Sequence, residues 1–121
     1  MKKFDLEDRF IDFTIRISNV VDEIDPENSG GIHIAGQLIR SGSSPALNYG
    51  EAQSAESRKD FVHKLKIILK ELKESRVCLK IIERKPLIPN TKKLAPIMKK
   101  TEELIAIIYK SIETTKSNMQ K

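Results

Sequence analysis

The residues that could do chemistry in this chain are few, and their spacing argues against most catalytic sites. The two histidines, His33 and His63, are thirty positions apart, with no His-x3-His or Cys-x2-Cys spacing near either. A metal needs three or four converging ligands, so no cofactor or metal is expected. Cys78 is the one cysteine. It stands beside an apolar seam with no sequence-adjacent base, which reads as a packed thiol rather than a nucleophile. Asp22-Glu23 and Glu102-Glu103 are adjacent pairs, so on a helix they point to different faces and form no two-carboxylate site. The stretch around Gly42 lacks the Lys-Ser/Thr ending of a phosphate loop. No Ser-His-Asp arrangement follows from the spacing. The expectation is a protein that is not an enzyme.

The ordered chemistry is basic. Lys59, His63, Lys66, Lys70, Lys73, Lys80 and Arg84 recur at helical intervals, with Val77 as the one apolar member of their line. Lys59 is two residues before the apolar Phe61, about 200° around a helix, so the line faces away from the apolar seam. It spans ~37 Å at the helix rise. Such a stripe can follow nucleic-acid phosphates, helped by Lys92, Lys93, Lys99 and Lys100. The competing reading is a solvated face with Glu71 and Glu74 as local partners. No aromatic accompanies the stripe, so phosphate-led, weakly sequence-specific binding is expected. Ile67, Val77 and Ile81 flank the stripe and would be exposed in a monomer, which marks them as a contact surface between subunits.

Net charge sharpens this. The 121 residues carry +5 overall. Residues 1–29 carry −4, residues 30–55 carry 0, residues 56–85 carry +5 and residues 86–121 carry +4. An acidic first segment is thus set against a basic second half. One cysteine excludes an internal disulfide framework and favours a reducing compartment. The longest apolar run, Leu104 to Tyr109, is far shorter than the ~20 residues of a membrane span. Met1 to Asp8 turns acidic at once and has no apolar h-region, so a cytoplasmic protein without a signal peptide is expected.

Four helices must position these residues. Leu6, Phe10, Phe13, Ile17, Val20 and Ile24 make one apolar stripe and predict a helix over about 5–24, with Asp5 as its cap. Phe61, Leu65, Ile68, Leu72, Ser75, Leu79 and Ile82 predict a helix over about 57–84, opened by Ser57 with Asp60. Leu94, Ile97, Thr101, Leu104, Ile108, Ser111 and Thr115 predict a helix over about 91–118, with Thr91 as cap and Pro96 an awkward early residue. The second segment, about 31–54, is harder. Arg40-Ser41-Gly42-Ser43-Ser44-Pro45 is poor in helix propensity. Either a loop divides two short helices or one helix passes through Pro45. The small residues Gly36, Gly42, Ser43, Ser44, Ala46 and Gly50 favour one helix that a neighbour approaches closely. Gln37, Arg40, Ser41, Ser44, Asn48 and Glu51 form a polar set that is either an exposed face or turned to another helix or subunit. Short joints force neighbours to run antiparallel, which predicts an all-α, up-and-down four-helix bundle as a single domain over 1–121.

Residues 37–44 (QLIRSGSS), 48–52 (NYGEA), 56–67 (ESRKDFVHKLKI) and 69–75 (LKELKES) resemble the four-helix-bundle proteins encoded in intervening sequences of bacterial 23S ribosomal RNA, a family often labelled S23 ribosomal protein. The resemblance covers nearly the whole chain; Pro45 is the main departure. It implies an antiparallel four-helix bundle that assembles into a ring-like homo-oligomer, expected as a pentamer. The family is similar to the accessory variability protein of diversity-generating retroelements, a basic pentameric bundle that binds nucleic acid and a reverse transcriptase. By that analogy the partners are RNA or DNA, a second protein such as a reverse transcriptase, and further copies of the chain itself, with no membrane. The family's own biochemical role is unassigned. The motif positions carried over are Arg40, Ser44, Asn48, Glu51, Ser57, Asp60 and Lys64, none with an implied role.

Overall fold

A computed structural model describes residues 5–120, so the first four residues of the predicted N-terminal stretch lie outside the described residues. The chain forms α1 (Leu6–Asp22), α2 (Ser29–Gln53), α3 (Arg58–Arg84), a 3-10 turn (Thr91–Lys93) and α4 (Leu94–Met119). The expected four-helix bundle is the observed one. Residues in contact across each pair of neighbours run in opposite directions: Phe10 meets Tyr49 and Thr14 meets Gly42 between α1 and α2. Arg40 meets Glu71 and Glu51 meets Lys64 between α2 and α3, and Arg76 meets Glu102 between α3 and α4. The α2–α3 seam is the most extensive and the α1–α4 seam the thinnest.

The apolar stripes form the core. All six predicted positions of α1 are buried. On α3, Leu65, Ile68, Leu72, Ser75, Leu79 and Ile82 are buried while Phe61 is only half-buried; on α4, Leu94, Ile97, Thr101, Leu104 and Ile108 are buried. Leu87 and Ile88, in the loop between α3 and α4, tuck into the same core. The buried hydroxyls are satisfied. Thr101 donates to the Ile97 carbonyl at 2.7 Å, and Ser41 and Ser75 bond each other at 2.8 Å across the α2–α3 seam.

Caps fix the helix starts. Asp5 accepts from the Asp8 amide, Asn28 from the Gly31 amide and Ser57 from the Asp60 amide, each pairing a first-turn N–H that has no partner within the helix. Helix α2 starts two residues earlier than expected because Gly30 and Gly31 belong to it. A Cβ on Gly31 would sit 2.9 Å from Ile24 Cγ2, so this glycine serves close approach rather than a turn. Asn90, not Thr91, is the capping residue before α4: it accepts from the Lys92 amide and opens the 3-10 turn. Pro96 then falls in the first turn of α4, where the missing N–H costs little.

Helix α2 runs unbroken through the buried Pro45. Its serines donate to backbone carbonyls of the same helix. Ser41 bonds the Leu38 carbonyl and Ser43 those of Ile39 and Arg40, while Asn48 Nδ2 bonds that of Ser44. Thr14 adds a bond from α1 to the Gly42 carbonyl at 3.0 Å. Packing of the buried Ser41, Gly42 and Pro45 outweighs the poor propensity of the segment.

Candidate nucleic-acid interface

Lys59, His63, Lys66, Lys70, Lys73, Lys80 and Arg84 are all exposed along the outer face of α3, and none of them is ion-paired among the described residues. The apolar seam of α3 holds the helix against α2 and α4, and the seven bases share the opposite side. Glu71 and Glu74, expected as local partners of the stripe, are not. Both turn to α2, where Arg40 Nη1 donates to Glu71 at 2.8 Å and Arg40 Nη2 to Glu74. The stripe is thereby left unneutralised.

The helpers expected on α4 divide. Lys92 lies exposed on the 3-10 turn and Lys99 is exposed on α4. Lys93 reaches across to Glu23 at 3.3 Å, while Lys100 pairs within α4 at 3.5 Å with Glu103, the carboxylate that Arg9 of α1 also binds. Those two lysines therefore serve the α1–α4 seam and stand apart from the stripe. A base that sequence reasoning missed stands in their place. Lys116 and Met119 of α4 line a shallow cleft with Lys59, Val62, His63 and Lys66 of α3. The antiparallel register of α3 and α4 makes this meeting, and no spacing within one helix signals it.

That register also places one aromatic of α4 on the flank that faces α3. Arg76 pairs with Glu102 at 2.9 Å, and Lys116 lies by Val62. Tyr109 is seven residues, close to two helical turns, from each of Glu102 and Lys116, so it lies on the same flank of α4, opposite Leu69. Lys66 and Lys73 stand one turn to either side of Leu69. The Tyr109 side chain is 57% exposed. The aromatic was hidden from a reading of α3 alone.

The motif positions carried over from the resemblance lie along the α2–α3 seam or at its closed end. Besides Arg40, Asn48 bonds the Ser44 hydroxyl at 2.8 Å, Lys64 donates to Glu51 at 2.8 Å, and Ser57 caps α3 through the Asp60 amide. Of the polar set of α2, Arg40, Ser41 and Glu51 thus pair with α3, whereas Ser44 and Asn48 bond each other and Gln37 bonds Arg40 within α2. The hydrogen bond to Glu74 and the charge of Glu71 hold the Arg40 guanidinium above its ordinary pKa. The bond to Glu51 does the same for Lys64. Both groups stay charged, and both lock register rather than wait for a ligand. Among the expected subunit contacts, Val77 is 55% and Ile81 39% exposed. Ile67 is half-buried, contrary to expectation, because it lies one turn before Glu71 on the side of α3 that turns toward α2.

Cys78 is buried, and burial pushes its thiol above the usual range, with the Glu74 carboxylate adding to the effect. A thiol held protonated is a poor nucleophile. Among the described residues no three His, Cys, Asp or Glu side chains come together as metal ligands. No helix of the described residues is long and apolar enough to cross a membrane.

Comparison with known proteins agrees with this architecture. The sequence profile of the 23S rRNA-intervening sequence protein family matches residues 2–110. A crystal structure of a protein of unknown function from the S23 ribosomal protein family of Bacteroides thetaiotaomicron superposes with a TM-score of 0.80 at 30% identity, covering 89% of this chain and 98% of that one. No curated protein matches the chain. With a profile match over nearly the whole length and a shared fold at 30% identity, the chain belongs to the 23S rRNA-intervening sequence protein family.

Proposed function

We propose that this protein is a cytoplasmic, non-enzymatic homo-oligomer that binds RNA or DNA through the outer face of α3. The observation that carries the reading is the row of bases over ~37 Å, without ion pairs among the described residues, with Glu71 and Glu74 of the same helix drawn to Arg40. A single row gives weak affinity; several copies in one ring, a pentamer on the family resemblance, multiply it through effective concentration. If about 5 phosphates are neutralised per site, the log–log salt slope for duplex DNA is about −4.5. The test is the triple variant Lys66/Lys70/Lys73→Glu in a fluorescence polarisation assay at ~50 mM salt, where electrostatic binding is strong. Loss of binding with unchanged circular dichroism supports the reading; unchanged affinity overturns it.

A second reading, a protein-interaction or assembly module, is favoured by Val77 and Ile81. They form an exposed apolar break in the basic row, lining a shallow concavity with Lys80, Arg84 and Lys85. On this reading the double variant Val77→Asp/Ile81→Asp lowers the mass measured by light scattering to that of one chain, with helicity intact. An unchanged mass removes these residues from the subunit interface.

A further inference from the structure

The stripe alone makes no distinction between a duplex and a single strand, because both present phosphates. Tyr109 makes one. Its ring stands on the α3-facing flank of α4, midway between the Arg76–Glu102 pair and the cleft that holds Lys116, with Lys66 and Lys73 one turn to either side of the α3 residue opposite it. More than half of the side chain is open to solvent. It is a half-open aromatic on the flank that faces the most cationic helix of the chain. The chain's other tyrosine shows the contrast: Tyr49 packs against Phe10 with ring centroids 5.5 Å apart.

Charges near Tyr109 permit an anionic ligand. Glu102 is neutralised by Arg76 at 2.9 Å. Glu113, one turn farther along α4, is exposed and marks one boundary of the patch. A row of bases that tracks a backbone, with an aromatic face beside it, is the combination by which single strands are bound without strong sequence preference. Base pairs stacked inside a duplex cannot lie on an isolated ring, whereas an unpaired base can.

We propose that Tyr109 is a stacking platform for an unpaired base, and that the ligand class of the α3 face is single-stranded nucleic acid. This rests on the nucleic-acid reading given above. The experiment measures the full-length protein by fluorescence polarisation on labelled oligo(dT), oligo(U) and a duplex of the same length, at ~50 mM salt. Wild type binds the single strands tighter than the duplex. Tyr109→Ala weakens single-strand binding by about 5- to 160-fold, the range set by removing one base–aromatic stack. It leaves duplex binding unchanged, and Tyr109→Phe, which keeps the ring, matches wild type. The tighter of oligo(dT) and oligo(U) identifies the preferred sugar, and both show the loss. Equal affinity of Tyr109→Ala and wild type for the single strands overturns the inference, as does an equal loss on the duplex. The Lys66/Lys70/Lys73→Glu variant separates the two levels. If it loses binding while Tyr109→Ala does not, the stacking role falls and the basic face stands. If it binds all three probes as wild type does, both fall.

Discussion

Replacing Gly42 by valine is expected to destabilise the protein by about 2–3 kcal/mol, the upper part of the range for overpacking a close-packed interior. The reason is the approach of α1 to α2. A Cβ on Gly42 would lie 2.7 Å from Ile17 Cγ2, 3.0 Å from its Cγ1 and 3.1 Å from its Cβ. Ile17 is fully buried and β-branched, so it cannot swing aside. The helices would have to separate, which also strains the Thr14 bond to the Gly42 carbonyl. Urea unfolding measures the effect as a fall in midpoint at constant slope. Two companions make the result specific. A Cβ on Gly36 or Gly50 would meet nothing within 4 Å, so alanine at either position is expected to stabilise by about 0.5–1 kcal/mol through helix propensity alone. In the double variant Gly42→Val/Ile17→Ala the space left by Ile17 accepts the new side chain, so the two losses fall short of additive. Full additivity, or a neutral Gly42→Val, would show that the seam is looser than its distances imply.

Truncating Leu72 to alanine is expected to cost about 2–5 kcal/mol, the range for a large-to-small change where the surroundings cannot collapse. Leu72 has no exposed surface and lies at the middle of the α3 stripe. Against a total stability of about 5–15 kcal/mol for a domain, that loss is a large fraction. Val77 is five residues away on the same helix, about 140° around it. It is 55% exposed, and its alanine variant is expected within about 0.5 kcal/mol of wild type. The pair tests whether the inner and outer faces of α3 are assigned correctly. Comparable losses at Leu72 and Val77 would mean that the outer face is covered in solution, and the loss at Val77 should then grow with protein concentration.

The core was legible because periodicity reports it directly. The six stripe positions of α1 repeat at intervals of four and three, and all six are buried. The Arg40–Glu71–Glu74 clamp was not legible, because it depends on the register between two helices, which no one-helix pattern contains. One signal did exist. Glu71 stands next to seam residue Leu72, and a carboxylate beside an apolar stripe needs a cation from a neighbouring helix; Arg40 is the sole Lys or Arg of α2. The place of Lys116 and Tyr109 beside α3, and the turn of Lys93 to Glu23, escaped the sequence pattern for the same reason, since they depend on how one helix lies against another. Pro45 shows a different limit. Propensity argued for a break there and the small residues for one continuous helix, and the buried Pro45 lies within an unbroken α2.

The thin seam between α1 and α4 has a kinetic meaning. Three of the four seams join helices that follow one another in the chain, so each forms by closing a short joint. Only the α1–α4 seam brings together residues nearly a hundred positions apart, as in the Arg9–Glu103 bond. The entropy of long loop closure thus falls on the interface with the least packing to form. A chain so wired has low contact order, and the helical proteins of that class fold in about microseconds to milliseconds. An unpaired intermediate with exposed core would be short-lived. For a protein expected to assemble in several copies, that leaves little time for half-folded chains to pair wrongly before the finished surfaces meet.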